Sequence, residues 1–388
     1  MRSEFITKPL STLADIQTGP FGSQLHKEDY VQNGTPIVTV EHLGKRKFTK
    51  QNLPCVSDKD KKRLSKYILH EGDIVFSRVG SVDRCSYVSR EYNGWMFSGR
   101  CLRVRPFAEI EPQYLYYYFT LESTKQFVRG IATGATMPSI NTKFMGEVPI
   151  AYPSIDVQRK ITGLLNTLND KIELNDAINK NLEQQAQALF KSWFVDFEPF
   201  SNRKPSDWSV STLGNVSIMG AGGDKPQNVS PIKTDLYEYP IYSNGLSNEG
   251  LYGFTDNPKI SEESVTVSAR GTIGFVCLRH IPYVPIVRLV TLIPKTEIIS
   301  AKYLYLWLKQ LHITGTGTTQ QQLTVPDFQK IEILVPSQEI VTLFTVTVEP
   351  IFEKIWVNQN ENEKLSSLRD TLLPKLMSGE LDVSDIDL

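Results

Sequence analysis

From Ile161 onward, apolar residues recur at alternating spacings of four and three: Ile161, Leu165, Leu168, Ile172, then Asn175 and Asn179, then Leu182, Ala186, Leu189 and Trp193. This is the a/d seam of a coiled coil and predicts a long helix. The same rhythm returns at Phe344, Val348, Ile351, Ile355, Asn358, Asn362, Leu365, Arg369, Leu372 and Leu376. Each helix is expected to span roughly 40 residues, or about 60 Å at 1.5 Å per residue. Pro153-Ser154 and Pro336-Ser337 mark the starts, with Asp156 and Glu339 well placed in the first turn, while Glu198-Pro199 and Gly379 mark the ends. The two central seam positions of each helix are asparagine. Antiparallel packing would bring Asn175, Asn179, Asn358 and Asn362 together at mid-length, where amides can hydrogen-bond. A slip of one heptad would bury them against leucine or isoleucine, at about 1–3 kcal/mol for an unpaired amide. The four are therefore read as a register device.

The segments before each helix carry a different pattern. Short β-branched runs, Thr35 to Val40 and Val284 to Val290, are interrupted by Gly, Pro and Asn and predict strands. Single helical stretches are expected from Pro112 to Arg129 and from Ser300 to His312, and a polar Gly/Thr-rich loop closes each half, Gly130 to Thr142 and Thr314 to Thr324. The chain also repeats itself. Thr133 to Ser154 aligns without gaps onto Thr316 to Ser337 at an offset of 183, which persists along the helices. Tyr114-Leu115-Tyr116 matches Tyr303-Leu304-Tyr305 at 189, and Ser11-Thr12-Leu13 matches Ser211-Thr212-Leu213 at 200. Ile74 to Arg78 resembles Val265 to Arg270, which places Arg78 and Arg270 at matched strand ends. The expected fold is α/β (α+β): two similar globular domains separated by two long antiparallel coiled-coil helices, a pseudo-two-fold internal repeat. The boundaries are residues 1–153 for the first domain, 154–198 for the central helix, 199–336 for the second domain, and 337–388 for the C-terminal helix and tail.

Charge sharpens this division. The net −1 of the 388 residues distributes as +6 over 1–153, −2 over 154–198, +1 over 199–336 and −6 over 337–388. The acid therefore sits on the helices and the base on the first domain. No apolar run reaches the ~18 residues of a membrane span, and no signal-peptide core opens the chain, so a cytoplasmic protein is expected. Cys55, Cys85, Cys101 and Cys277 have neither CxxC spacing nor a histidine pair nearby, and buried free thiols are expected. There is no GxxxxGK[ST], HExxH or GxSxG motif. The nearest approach to a cofactor loop is Met219 to Asp224, without the Asn-Pro-Pro-aromatic tetrapeptide a methyltransferase would need. The chain reads as non-enzymatic.

Two longer strings carry a family resemblance. Gln184 to Phe197 and Leu368 to Leu381, at the ends of the two helices, resemble the spacer ends of the specificity subunit of type I restriction-modification systems. Gly72 to Arg78 and Ser268 to Gly274 look like strands of that family's target-recognition domains. The resemblance implies sequence-specific recognition of a bipartite, asymmetric site in double-stranded DNA, one half read by each domain. It implies partnership with two modification (methyltransferase) subunits and, in the nuclease form, two motor-endonuclease subunits. S-adenosylmethionine, ATP and Mg would bind those partners and not this chain. The acidic helices would face protein and avoid phosphates.

Phosphates are contacted by Lys, Arg and helix N-termini, and base edges by Arg, Asn, Gln, Ser and Thr. The densest basic stretch includes Lys45, Arg46 and Lys47, expected at phosphates. The loops closing each half offer Thr136, Ser139, Asn141 and Lys143 in one and Thr319, Gln320, Gln321 and Gln322 in the other, with Arg78 and Arg270 at the strand ends. Two alternatives remain at this point: a protein-binding scaffold, and a stand-alone DNA methyltransferase.

Overall fold

Two α-helices of 40 residues each, Ile155–Phe194 and Gln338–Met377, run through the chain in its computed structural model, which describes residues 4–22, 24–313 and 322–383. Residue 155 corresponds to 338 and residue 194 to 377, so the offset of 183 holds at both helix ends. The first helix stops before Glu198-Pro199. Phe197 adopts a left-handed φ of 54°, and the rings of Phe194 and Phe200 close on Trp208 at 5.6 and 5.0 Å. The second helix ends at Met377, ahead of Gly379 with its φ of +72°, as a glycine stop requires. No helix among the described residues is long and apolar enough to cross a membrane.

The chain divides into two compact units. Unit 1 comprises Met1–Leu174 with Glu361–Leu388, and unit 2 comprises Asn175–Asn360. Each unit holds one globular domain with half of each long helix. In unit 1 the helix segments run antiparallel: Asn362 Nδ2 donates to the Ile172 carbonyl at 3.4 Å, and Arg369 Nη1 donates to Asn169 Oδ1 at 3.0 Å. Ile161, Leu165, Leu373, Leu376 and Met377 join the core of the first domain. In unit 2 the helix segments are again antiparallel. Asn358 Nδ2 donates to Asn179 Oδ1 at 2.8 Å, while Phe194 meets Phe344 at 4.8 Å. Ala186, Phe190, Phe194, Phe344, Val348 and Phe352 complete that unit's core. Seam residues such as Leu165 and Phe344 thus serve the helix pair and a domain, and Phe190, Phe194, Phe352, Leu373 and Met377, one position beyond the seam, belong to the same cores.

Each domain is built on a four-stranded antiparallel sheet with the same order. In unit 1 this is Ala14–Thr18, Cys101–Pro106, Ile74–Ser77, Cys85–Tyr87, and in unit 2 it is Ser217–Ala221, Val290–Pro294, Ser264–Val267, Val276–Arg279. A smaller sheet in each contains one parallel pair, Thr35–Val38 with Met96–Phe97 and Tyr239–Tyr242 with Val284–Pro285. Tyr114 and Tyr303 stand at the same place: one hydroxyl donates to the Ala151 carbonyl at 2.9 Å, the other to the Leu334 carbonyl at 2.7 Å. Cys85, Cys101 and Cys277 are buried free thiols, whereas Cys55 is only half-buried.

Three expectations are corrected. The Ser-Thr-Leu match at offset 200 is out of register. The Leu10 amide donates to the Val148 carbonyl and the Leu213 amide to the Ile331 carbonyl, both at 2.9 Å, so Leu10 and Leu213 correspond, 203 apart. The stretch from Pro112 is two helices, Pro112–Thr120 and Glu122–Ile131, because Leu121 leaves the helical region with ψ 135°. In unit 2 one helix, Ala301–Gln310, occupies this region, capped by the Ser300 hydroxyl. Finally, Val284 to Val290 is not one strand but two, Val284–Pro285 and Val290–Pro294, joined by a turn.

The connection leaving the first strand of each sheet passes against that turn. A Cβ on Gly19 would lie 2.1 Å from the Ser98 carbonyl oxygen, and one on Gly222 would lie 2.7 Å from the Ile286 nitrogen. Only glycine allows two backbones so close. Replacing Gly19 by Ala is expected to lower the stability of unit 1 by about 1–3 kcal/mol, the range for overpacking. Gly22→Ala, with nothing within 4 Å of the added Cβ, should change it by less than about 0.5 kcal/mol. Urea unfolding midpoints of the two variants check the difference.

Candidate nucleic-acid interface

Four segments meet at one end of the unit 1 sheet. The strand Ala14–Thr18 runs into Gly19, whose amide donates to the Cys101 carbonyl at 3.1 Å. A turn over Ser98 to Cys101 leads into the strand Cys101–Pro106, closed by the Cys101 amide on the Ser98 carbonyl at 2.9 Å. Arg78, just beyond Ile74–Ser77, donates its amide to the Arg100 carbonyl at 2.8 Å and Nη1 to the Gly99 carbonyl at 3.3 Å. The fourth segment is the loop Thr133 to Asn141. Thr133 and Ser139 exchange backbone hydrogen bonds at 2.9 and 2.7 Å, the Gly80 amide donates to the Pro138 carbonyl at 2.8 Å, and the Ile140 amide to the Arg78 carbonyl at 3.0 Å. These bonds hold the exposed Thr136 and Arg100 on a rigid base, with the guanidinium of Arg78 5.5 Å over the ring of Phe21.

Unit 2 repeats the construction with different side chains. The Gly222 amide donates to the Leu289 carbonyl at 2.8 Å, and the turn Ile286 to Leu289 is closed at 3.1 Å. Gly19 therefore corresponds to Gly222, and Arg100 to Arg288. Both arginines are exposed. The direct backbone bond at Arg78 is replaced by an amide bridge: Asn244 accepts from the Ala269 amide at 2.7 Å and donates to the Val287 carbonyl at 2.6 Å. A cleft of ≈ 660 Å³ opens here, lined by Lys225, Tyr252, Arg270, Val287 and Arg288 among others. Of the glycines of Met219 to Asp224, Gly222 serves this close backbone crossing, while Met219 and Gly220 are already inside the strand Ser217–Ala221.

The strand-end arginines do not correspond. The Ser77 amide donates to the Arg84 carbonyl and the Ser268 amide to the Phe275 carbonyl, both at 2.9 Å, and the Leu323 amide meets the Ala269 carbonyl at 3.1 Å. Arg78 thus matches Ala269, and Arg270 lies one residue further on. Side chains of extended backbone alternate in direction, so a one-residue slip changes the face. Arg78 turns back to Gly99 and Phe21, while Arg270 is exposed and donates to Gln322 Oε1 at 3.1 Å. The pair that does recur, Arg100 and Arg288, escaped the sequence comparison. Its signal was available, because Arg100 to Pro106 aligns with Arg288 to Pro294 at an offset of 188.

The remaining candidates divide. Lys143 is exposed, Ser139 half-buried, and Asn141 caps the short helix Thr142–Gly146 by accepting from the Phe144 amide at 2.8 Å. Asn141 is thereby committed to the fold through its oxygen. Thr319, Gln320 and Gln321 lie outside the described residues. Arg46 and Lys47 require a correction. Arg46 pairs with Asp170 at 2.7 Å and Glu173 at 3.6 Å, and Lys47 with Glu173 at 2.7 Å. These two cations fasten the first domain to the first long helix, where the carboxylates would repel a phosphate. Lys45 is exposed, and its carbonyl accepts from Ser86 Oγ at 2.6 Å. On the seam, Asn175 and Asn358 are fully buried and Asn179 and Asn362 half-buried. Asn179 Nδ2 also donates to the Ile355 carbonyl at 3.4 Å. No metal-binding group of three His, Cys, Asp or Glu occurs among the described residues.

Comparison with known proteins bears on this geometry. The model of the family described as type I restriction modification DNA specificity domain matches residues 3–184 and 205–366. The type I restriction enzyme MjaIX specificity subunit of Methanocaldococcus jannaschii is 26% identical, over 98% of this chain and 94% of its own. The HindI specificity subunit of Haemophilus influenzae is 28% identical, over 83% and 89%. In fold, the chain resembles the crystal structure of a type I restriction-modification S subunit from M. genitalium, with a TM-score of 0.60 and 17% identity over 97% of this chain and 96% of that one.

The reassigned basic segment has a measurable consequence. Arg46→Ala leaves Glu173 with one cation and Asp170 with none, and is expected to destabilise unit 1 by about 1 kcal/mol, the upper end for partly exposed pairs. Lys45→Ala should leave stability within about 0.5 kcal/mol. Denaturation at low and high salt checks this, since the Arg46 effect shrinks with screening.

Proposed function

This chain belongs to the type I restriction modification DNA specificity domain family, and on that premise we propose that its two domains each read one half of a bipartite, asymmetric DNA site. The observation that carries this reading is the recurrence of one built surface in two domains of different sequence. In both, a glycine crossing and a closed turn present an exposed arginine, Arg100 or Arg288, at the end of the four-stranded sheet. An arginine held by the backbone at a matched position suits the contact common to both half-sites, the phosphate. The residues around it differ between the domains, as base readout at two unlike half-sites requires. Thr136 and Lys143 in unit 1, and Lys225, Arg270 and Gln322 in unit 2, are the surrounding donors.

The chain itself is a specificity subunit without chemistry of its own. It directs two methyltransferase subunits and, in the nuclease form, two motor-endonuclease subunits. S-adenosylmethionine, ATP and Mg belong to those partners. The long helices supply the measure: the asparagine layer that includes Asn179 and Asn358 sets their register and, with it, the gap in the DNA site. An amide pair at the seam tolerates only one alignment, because a slip places an amide against an apolar side chain.

Two measurements test the reading. Arg100→Ala and Arg288→Ala should each weaken binding of the assembled complex on all sequences alike and reduce the slope of log affinity against log salt by about 1. An unchanged slope in both variants would remove these arginines from the interface. Asn179→Leu combined with Asn358→Leu should keep or raise thermal stability while broadening the preference among duplexes whose gap differs by single base pairs. A folded double variant with unaltered gap preference would end the register assignment.

A further inference from the structure

The turn that carries Arg288 is strained, and the strain is at the wrong residue for a structural purpose. Val287 and Arg288 have φ of 52° and 63°, the left-handed values of a two-residue hairpin turn that favours Asn-Gly. A β-branched residue there is an outlier whose conformation persists only when its surroundings enforce it. They do so here. The Val287 amide donates to the Gly223 carbonyl and the Arg288 amide to the Gly222 carbonyl, both at 2.8 Å, and Asn244 holds the Val287 carbonyl. The shared scaffold does not demand this conformation, since the corresponding turn in unit 1 has Gly99 at that place and neither Gly99 nor Arg100 takes a positive φ. Nor does the core demand the side chain, which is 51% exposed. The valine is thus pinned in solvent on the wall of the cleft, between the cations Arg270, Arg288 and Lys225.

An apolar side chain fixed among phosphate-seeking cations matches one feature of the major groove. The 5-methyl of thymine is the apolar group on a base edge there, and it is flanked by the sugar-phosphate backbone. Resting on the DNA-recognition reading above, we propose that Val287 is a specificity-determining residue that contacts a thymine methyl in the half-site read by unit 2. The cations beside it hold the backbone while the valine discriminates the base.

The test uses the complex assembled with its partner subunits, on a site located first by mapping methylated adenines. Each thymine of that site is replaced in turn by deoxyuridine, which removes the methyl and leaves the pairing intact. One replacement is expected to weaken wild-type binding about fivefold. Val287→Gly should bind the thymine and deoxyuridine duplexes equally, and Val287→Ile should keep the discrimination. Because glycine is at ease with φ near 52°, the Val287→Gly variant should melt no lower than wild type, so a general loss of folding cannot imitate the result. The proposal is overturned if no deoxyuridine position affects the wild type, or if Val287→Gly still tells the two duplexes apart. A wild-type complex that binds no duplex specifically would instead bring down the DNA-recognition reading itself.

Discussion

Each long helix has to satisfy two cores with one sequence. Its 40 residues pass from one compact unit into the other, and in each unit the same apolar stripe meets a partner helix and a globular domain. That double demand accounts for much else. It recruits residues beside the seam in both units, Phe190 and Phe194 packed as rings with Phe344 where the second domain seats, and Leu373 with Leu165 and Leu376 where the first domain seats. It also explains the ion pairs and hydrogen bonds that bind each domain to helix positions outside the seam. Arg46 reaches Asp170 and Glu173 in unit 1, while Tyr305 and Lys309 share Glu183 in unit 2. This polar attachment adds to the apolar packing of Phe190, Phe194 and Leu373, which also lie beside the seam.

Much of the acidity of the helices is therefore spent inside the protein. Part of it, Asp170, Glu173 and Glu183, is internal to the units and neutralised by the domains. Glu349 is likewise held by Lys302 of the second domain at 3.0 Å, and Glu361 by Lys171 of the other helix at 3.3 Å. Linear charge does not reveal these pairings, because the partners are distant in sequence and meet only in the fold.

The long helices were legible because a 3-4 spacing sustained over ten positions has no other physical solution, and their matched ends followed from the fixed offset. The short elements were less so. Val284 to Val290 has strand composition throughout, and what breaks it is a tertiary demand, the crossing of Gly222 beneath it. Arg78 and Arg270 were paired by the likeness of two short strings, where a slip of one residue changes little in sequence and everything in direction. The charge of Lys45, Arg46 and Lys47 was visible, but the neutralisation of Arg46 and Lys47 was not. Of the loops closing each half, the one in the first half lies within the described residues, and it carries the exposed Thr136 against the strand end at Arg78. The recurring member of the candidate surface, the arginine on the turn after each glycine crossing, emerges only from equivalent hydrogen bonds.

The division into units also orders events in time. Unit 2 is a single continuous stretch, Asn175–Asn360, and every residue of its core is present once that stretch has left the ribosome. Unit 1 is interrupted: Leu373, Leu376 and Met377 belong to the same core as Leu10, Ile74 and Ile161, which are synthesised first. During translation the first domain therefore waits, with part of its apolar surface uncovered, until the second helix is complete, although domains usually fold in the order they are made. The later-made unit can finish before the earlier one. A nascent first domain thus keeps exposed, until the last turns of the second helix are made, the apolar surface that Leu373, Leu376 and Met377 later cover.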